Sequence, residues 1–304
     1  MTWLSMITGG ALVLLVLRDV FHTLWHPTRH GGLSRLVMRV VWRLSALRGT
    51  RRRTAGLAGP TGMVAVVALW ALLLAVGWGL VYWPHMPGGF SYAAGLDPGE
   101  HAGADDALYV SLVTLSTLGL GDIAPTSGWL RVFAPMEALV GFVLLSATVA
   151  WILGIYPALA RRRTLALRLS HVRRSPTTGR ALDSDGGATL LDGLASTLST
   201  ITVDFLQYAE SYYFYDGDEN TSLPGQLGFA LALAEEASAA RHPDVRLSGS
   251  VLRTALEDLA TVLDERFLRT GAATEHVFAA SAEDHGNPGE PTAPAGPRGT
   301  GRRS

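Results

Sequence analysis

The stretch TLSTLGLGD, residues 114–122, sets Gly119 and Gly121 one residue apart, after a short apolar segment and directly before an aspartate. Residues 105–117 stay apolar over only about three helical turns, too few to cross a hydrocarbon core about 30 Å thick. Asp105 and Asp106 open that segment, and their carboxylates suit the positive start of a helix. A short helix closed by an irregular Gly-x-Gly turn has the form of a re-entrant loop. Irregular backbone survives at membrane depth only where protein or a water-filled path satisfies its polar groups. The string GLGDIA also imitates part of a dinucleotide fingerprint, but no strand precedes it and no crossover helix follows.

The surroundings are those of a membrane protein. At 48% hydrophobic and 17% charged over 304 residues, the chain is too apolar for an ordinary soluble domain. Residues 3–25, 61–83 and 129–156 are each long and apolar enough to span, and Trp3, Trp25, Trp83, Trp129 and Tyr156 bound them as interfacial aromatics do. The first span reads as retained rather than as a cleaved signal, because it lacks a basic n-region and its apolar run is too long. Cysteine is absent, which removes disulfides, thiolate metal sites and cysteine nucleophiles, and every basic residue is arginine.

Arginines 29, 35, 39, 43, 48, 51, 52 and 53 lie between the first two spans, and Arg161, Arg162, Arg163 and Arg168 follow the third. The positive-inside rule puts both regions in the cytoplasm and the N-terminus outside; the expected location is the plasma membrane, as a multi-pass chain. Leu33, Leu36, Val37, Val40, Val41, Leu44 and Leu47 recur at helical spacing beside Arg35, Arg39 and Arg43. That pattern predicts an amphipathic helix on the inner leaflet, since voltage sensors space arginines every third residue within an apolar span. Arg18 and Asp19 are expected to pair with each other or to snorkel. His22 and His26, one turn apart, form half of a metal site, but Pro27 follows directly and no carboxylate partner is evident.

A cation leaving water needs oxygens to replace its shell, and stacked backbone carbonyls from several chains can supply them. Carbonyls point one way in succession only if alternate residues take positive φ, which glycine adopts at little cost. Gly119 and Gly121 have that spacing, Thr117 adds a hydroxyl at the inner end, and Asp122 brings a carboxylate to the outer mouth.

Residues 107–117, ALYVSLVTLST, resemble the pore helix of bacterial two-transmembrane potassium channels. Pro125, Trp129, Arg131 and, nineteen positions after Asp122, Gly141 continue the likeness, and Ala107, Leu108, Ser111, Thr114, Thr117, Gly119 and Gly121 match as well. The resemblance covers roughly residues 107–156 and implies an all-α membrane fold of outer helix, re-entrant pore helix with filter, and inner helix, here with an extra N-terminal span. It implies a homotetramer, with K+ as the permeant ligand, no cofactor, and a filter of Thr117, Leu118, Gly119, Leu120, Gly121 and Asp122 backed by Tyr109, Ser111, Val113 and Thr114. Gly141 would be the inner-helix hinge, with Phe142, Leu145 and Val149 facing the cavity; the alternative is that Gly141 only lets helices pack closely.

The departures concern the scaffold. Leu120 stands where an aromatic normally braces the filter, Val113 replaces a carboxylate, and Tyr109-Val110 replaces a tryptophan pair, so a thinner polar scaffold is expected. Glu137 is ionisable within the third span and either satisfies a donor behind the filter or takes part in gating or permeation.

The chain divides by composition into a first span (1–28), a basic interfacial loop (29–58), a pore domain (59–160), a helical cytosolic domain (161–270) and a disordered tail (271–304). Leu191, Leu194, Leu198, Ile201, Phe205, Tyr208 and Tyr212 alternate steps of three and four, which suits a coiled coil or packing on two later amphipathic segments as a small bundle. Asp216, Asp218 and Asn220 start a calcium-loop pattern that fails at Thr221 and Leu227. No nucleophile-and-base pair emerges, so no catalytic residue is expected, and no nucleic-acid partner. The sequence therefore predicts a potassium-selective cation channel in the lipid bilayer. The alternatives are a weakly selective channel or a non-conducting sensor or scaffold of channel-like fold, and the stimulus that opens the gate is not legible.

Overall fold

The computed structural model describes residues 2–24, 32–47, 57–176, 181–216 and 218–286. Among these residues the architecture is all-α apart from two three-residue strands. In order come α1 (Thr2–Leu24), α2 (Gly32–Leu47), α3 (Ala58–Tyr82), β1 (Phe90–Tyr92), α4 (Ala104–Leu115), β2 (Ile123–Pro125), α5 (Leu130–Arg174), α6 (Asp185–Gln207), α7 (Leu223–Ser238), α8 (Pro243–Leu263) and α9 (Thr274–Asp284). Three of these, α1, α3 and α5, are long and apolar enough to cross a membrane. Among the described residues the contacts divide into two compact units, 2–24 with 32–47 and 57–156, and 157–176 with 181–216 and 218–286.

In the first unit α1 packs on α3 where glycines meet. A Cβ on Gly9 would lie 2.4 Å from the Gly77 carbonyl oxygen, a spacing only a bare backbone tolerates. The end of this pair nearest α2 is closed by Asp19. Its carboxylate accepts the Leu33 and Ser34 amides at the start of α2 (2.9 and 3.2 Å) and the Trp70 indole of α3 (2.9 Å). Asp19 is thus the cap of the amphipathic helix, which corrects the expected pairing with Arg18. The cap satisfies amides that have no partner within their own helix. Thr23 and Ser34 hydroxyls add a bond at 2.9 Å. Ser34 and Met38 of α2 are buried, while Leu36, Val40 and Leu44 remain exposed beside the arginines. His22 Nδ1 faces the Arg18 carbonyl at 2.8 Å; His26 lies outside the described residues.

The segment after α3, expected as plain loop, carries β1, which pairs antiparallel with β2 in the register Phe90↔Pro125, Ser91↔Ala124, Tyr92↔Ile123. The short helix α4 begins one residue earlier than expected, and Asp106 accepts the Gly103 amide at 3.1 Å to cap it. Helix α5 does not stop at the end of the apolar run but continues to Arg174.

In the second unit the seam residues Leu191, Leu194, Leu198, Ile201 and Phe205 are all buried. They lie on α6, which packs on α8, and α8 on α7, so the seam closes within one chain as a helical bundle rather than staying open for a coiled coil. Arg161 makes a bidentate pair with Asp204 (2.6 and 2.8 Å). Arg162, buried, donates to the Ser211 and Phe214 carbonyls and, with Arg163, to Asp216. Asp216 therefore serves the arginines, and Asn220 accepts from Ser170, so neither is arranged around a calcium ion.

The expected disordered tail is corrected over residues 274–284, which form α9 with Val277 and Phe278 buried. Tyr212 donates to Asp284 (2.6 Å), and the His285 ring nitrogens face the Ser281 and Tyr212 carbonyls at 2.9 Å. Burial, and then the positive charge of Arg162, hold the His285 imidazole below its ordinary pKa. Residues 287–304 lie outside the described residues.

Asp19→Ala removes the acceptor of three donors at once. It is expected to lower the thermal midpoint of the purified protein by several degrees, since each stranded donor costs about 1–3 kcal/mol where buried. Asp19→Asn keeps one acceptor oxygen and should cost less; equal midpoints for wild type and Asp19→Ala would contradict the cap.

Candidate functional site: the loop between α4 and β2

The backbone between α4 and β2 alternates in hand. Thr117 (φ 58°), Gly119 (φ 58°) and Gly121 (φ 77°) occupy the left-handed region. Alternation of this kind turns successive carbonyls to one side. A Cβ on Gly119 would meet nothing within 4 Å, so glycine is needed there for its backbone conformation and not for space. Thr117 holds the same conformation with a β-branched side chain, an arrangement that persists only where surrounding bonds enforce it.

Those bonds come from α4. The Val113 carbonyl accepts the amides of Leu118 (3.0 Å) and Gly119 (3.3 Å), and the Thr114 carbonyl that of Thr117 (2.9 Å). Val113 thus supports the loop through its backbone, whatever its side chain. Thr114 turns its hydroxyl back to the Val110 carbonyl at 2.7 Å. At the end next to β2 the Asp122 carbonyl accepts the Ala93 amide (2.8 Å), continuing the β1–β2 pairing.

Tyr109 braces the loop from α4. Its phenol donates to Asp122 at 2.6 Å, which holds that carboxyl below its usual range. The polar scaffold is therefore less thin than expected. The bond joins residues thirteen apart, a separation at which sequence carries no pairing signal. Leu118 and Leu120 project outward, 64% and 58% exposed in the single chain.

Behind the loop the three helices meet at Glu137 of α5, which is fully buried. Its carboxylate accepts Tyr82 of α3 and Ser111 of α4, both at 2.5 Å. Gly141, one turn further along α5, lies against the end of α4: a Cβ there would stand 1.8 Å from the Leu115 carbonyl oxygen. Helix α5 passes Gly141 without a break, so in this conformation the glycine permits close packing. Phe142 and Leu145 join Thr117, Leu115 and Thr148 around a cavity of about 300 Å³. Val149 is half exposed and is not among its lining residues. Thr117 and Gly119 also face a recess of about 390 Å³ whose wall includes Pro125, Arg131 and Pro135.

Elsewhere, Asp185, His242 and Asp244 bring one ligand atom each within 4.8 Å of one another, a grouping that their separation in sequence hides. Asp185 and Asp244 stand in the first turns of α6 and α8, where the helix dipole already favours carboxylates.

Spanning helices around a short re-entrant helix and a loop of alternating hand define a pore-loop membrane protein. Residues 68–156 match the family model described as "Ion channel". The chain is 25% identical over 172 residues to the uncharacterized membrane protein YdjJ of Bacillus subtilis, covering 55% of this chain and 48% of the relative. It is 44% identical over 54 residues to two-pore potassium channel 5 of Arabidopsis thaliana (16% of this chain, 13% of the relative). Against two pore potassium channel c of Oryza sativa it is 36% identical over 88 residues (28% and 18%). The chain thus spans about half the length of the first of these relatives and less of the others. No solved structure matches it. The match is to a channel family, and the apolar helices α1, α3 and α5 suit a membrane location.

Gly141→Ala places a methyl group against backbone that cannot rotate away. We expect a clear fall in thermal stability and in yield of folded protein, measured by fluorescence-detected gel filtration after heating, whereas an exposed α5 position such as Leu139→Ala stays near wild type.

Proposed function

We propose that the chain is the subunit of a homotetrameric cation channel, selective for potassium, in which Thr117 to Asp122 of four copies line the path. The single observation that carries this reading is the left-handed backbone at Thr117, Gly119 and Gly121, which turns alternate peptides so that their carbonyl oxygens can replace an ion's water. One loop per chain supplies only part of a ring, so closed four-fold symmetry completes it. Leu118 and Leu120, exposed in one chain, then find cover against neighbouring subunits. Phe142 and Leu145 face the water-filled cavity below, and Asp122 concentrates cations at the outer mouth. The arginine-rich segments set the orientation: N-terminus outside and C-terminus cytoplasmic, in the plasma membrane.

A weakly selective channel is the second reading, favoured by leucine at both variable filter positions, which gives the carbonyl rings no side-chain donor. Purified protein in liposomes should pass a barium-sensitive K+ flux, and reversal potentials in mixed K+ and Na+ decide between the two readings. Gly119→Ala, which forces a side chain into a left-handed conformation costing about 1–2 kcal/mol per subunit, should abolish the flux. No flux from wild type across voltages, pH values and lipids would leave a membrane sensor or scaffold of channel-like fold.

Asp122 also makes conduction pH-dependent. The Tyr109 phenol stabilises the charged carboxylate, so wild type should keep its conductance to lower external pH than Tyr109→Phe. In the variant the carboxyl pKa rises and the acid loss of single-channel conductance moves to higher pH; superimposable pH profiles would rule this role out.

A further inference from the structure

Glu137 is a carboxylate with 0% exposure inside the first unit, and its two oxygens are used by two different helices. Tyr82 reaches it from α3 across 55 positions of sequence, and Ser111 from α4 across 26. Both partners are hydroxyls, which can donate to a carboxylate without carrying a charge. Both bonds are buried, behind the loop that follows α4. Ser111 lies half a turn before Val113, whose carbonyl holds the amides of Leu118 and Gly119, so a shift of α4 is passed directly to the filter backbone. The inner helix meets α4 a second time at Gly141, against Leu115. The two contacts, one turn apart on α5, grip the last two turns of α4, and Tyr82 ties the grip to α3.

We propose that Glu137 is the positioning residue of the filter: it fixes α4 between the outer and inner helices and thereby sets how strictly the carbonyl rings discriminate potassium from sodium. The proposal rests on the channel reading above. Selectivity depends on how rigidly the carbonyl oxygens are held as well as on their number. Buried polar clusters whose members are all satisfied fix one arrangement, whereas losing one member leaves the others stranded.

The test compares wild type with Glu137→Ala, with Tyr82→Phe/Ser111→Ala, and with the triple variant, all in liposomes. The readouts are the K+/Na+ permeability ratio from reversal potentials and, separately, the thermal midpoint of the assembled protein. Glu137→Ala and the double variant should each lower the permeability ratio several-fold, and the triple variant should be no worse than either, because all three remove the same interaction. A role in packing alone would move the midpoint and leave the ratio unchanged, which overturns the proposal. So does additive loss in the triple variant, or a wild type that does not prefer K+. If Glu137→Ala does not assemble, the double variant, which loses only two hydroxyl oxygens, decides the matter by the same ratio. Absence of any wild-type flux instead removes the channel reading, and this role with it.

Discussion

A length of chain that is neither helix nor strand has to be carried at membrane depth, and the rest of the first unit follows from that. The amides of Thr117, Leu118 and Gly119 cannot be left bare in a low-dielectric interior, where an unmatched peptide group costs several kcal/mol. They are met by the carbonyls of Val113 and Thr114 at the end of α4. Helix α4 is in turn capped by Asp106 and held by Ser111 and Glu137. The end of the loop next to β2 is fixed by Tyr109 and by the pairing of β1 with β2. The irregular segment therefore has short, defined supports at both ends.

A second constraint is the placing of polar groups inside an apolar unit. Asp19 and Glu137 are the two carboxylates that span-forming helices carry inward, and neither is paired with an arginine in the contacts that define it. Each is satisfied by neutral donors from two other helices. Asp19 joins α1, α2 and α3, and Glu137 joins α3, α4 and α5. Such three-way bonds orient helices in a way that dispersion between apolar faces does not, since lipid tails compete for those faces equally well.

The second unit uses charge differently. The arginines 161–163, which in sequence look only like markers of the cytoplasmic side, make buried or half-buried bonds to Asp204, Asp216 and the carbonyls of Ser211 and Phe214. They bind the continuation of α5 to the α6 end of the bundle. Helix α9 was hidden in a stretch whose Gly, Pro and Ala content reads as tail. Only burial of Val277 and Phe278 against α7 and α8 makes it a helix worth ordering.

The sequence by itself determined the apolar lengths of α1, α3 and α5, the short re-entrant helix, and the left-handed turns at Gly119 and Gly121, though not the one at Thr117. These depend on local composition and on the lack of a Cβ, which need no partner to be read. The burial of the seam along α6 was legible as a period of three and four, but whether it faced another chain or its own was not, because both bury the same face. Only the tertiary structure decided that Tyr109 braces Asp122, that Asp19 caps α2, that Glu137 joins Tyr82 to Ser111, and that Gly141 serves contact with Leu115 in an unbroken helix. Each of these pairs residues far apart in sequence, and a carboxylate shows no preference among distant hydroxyls and amides until packing brings one within reach.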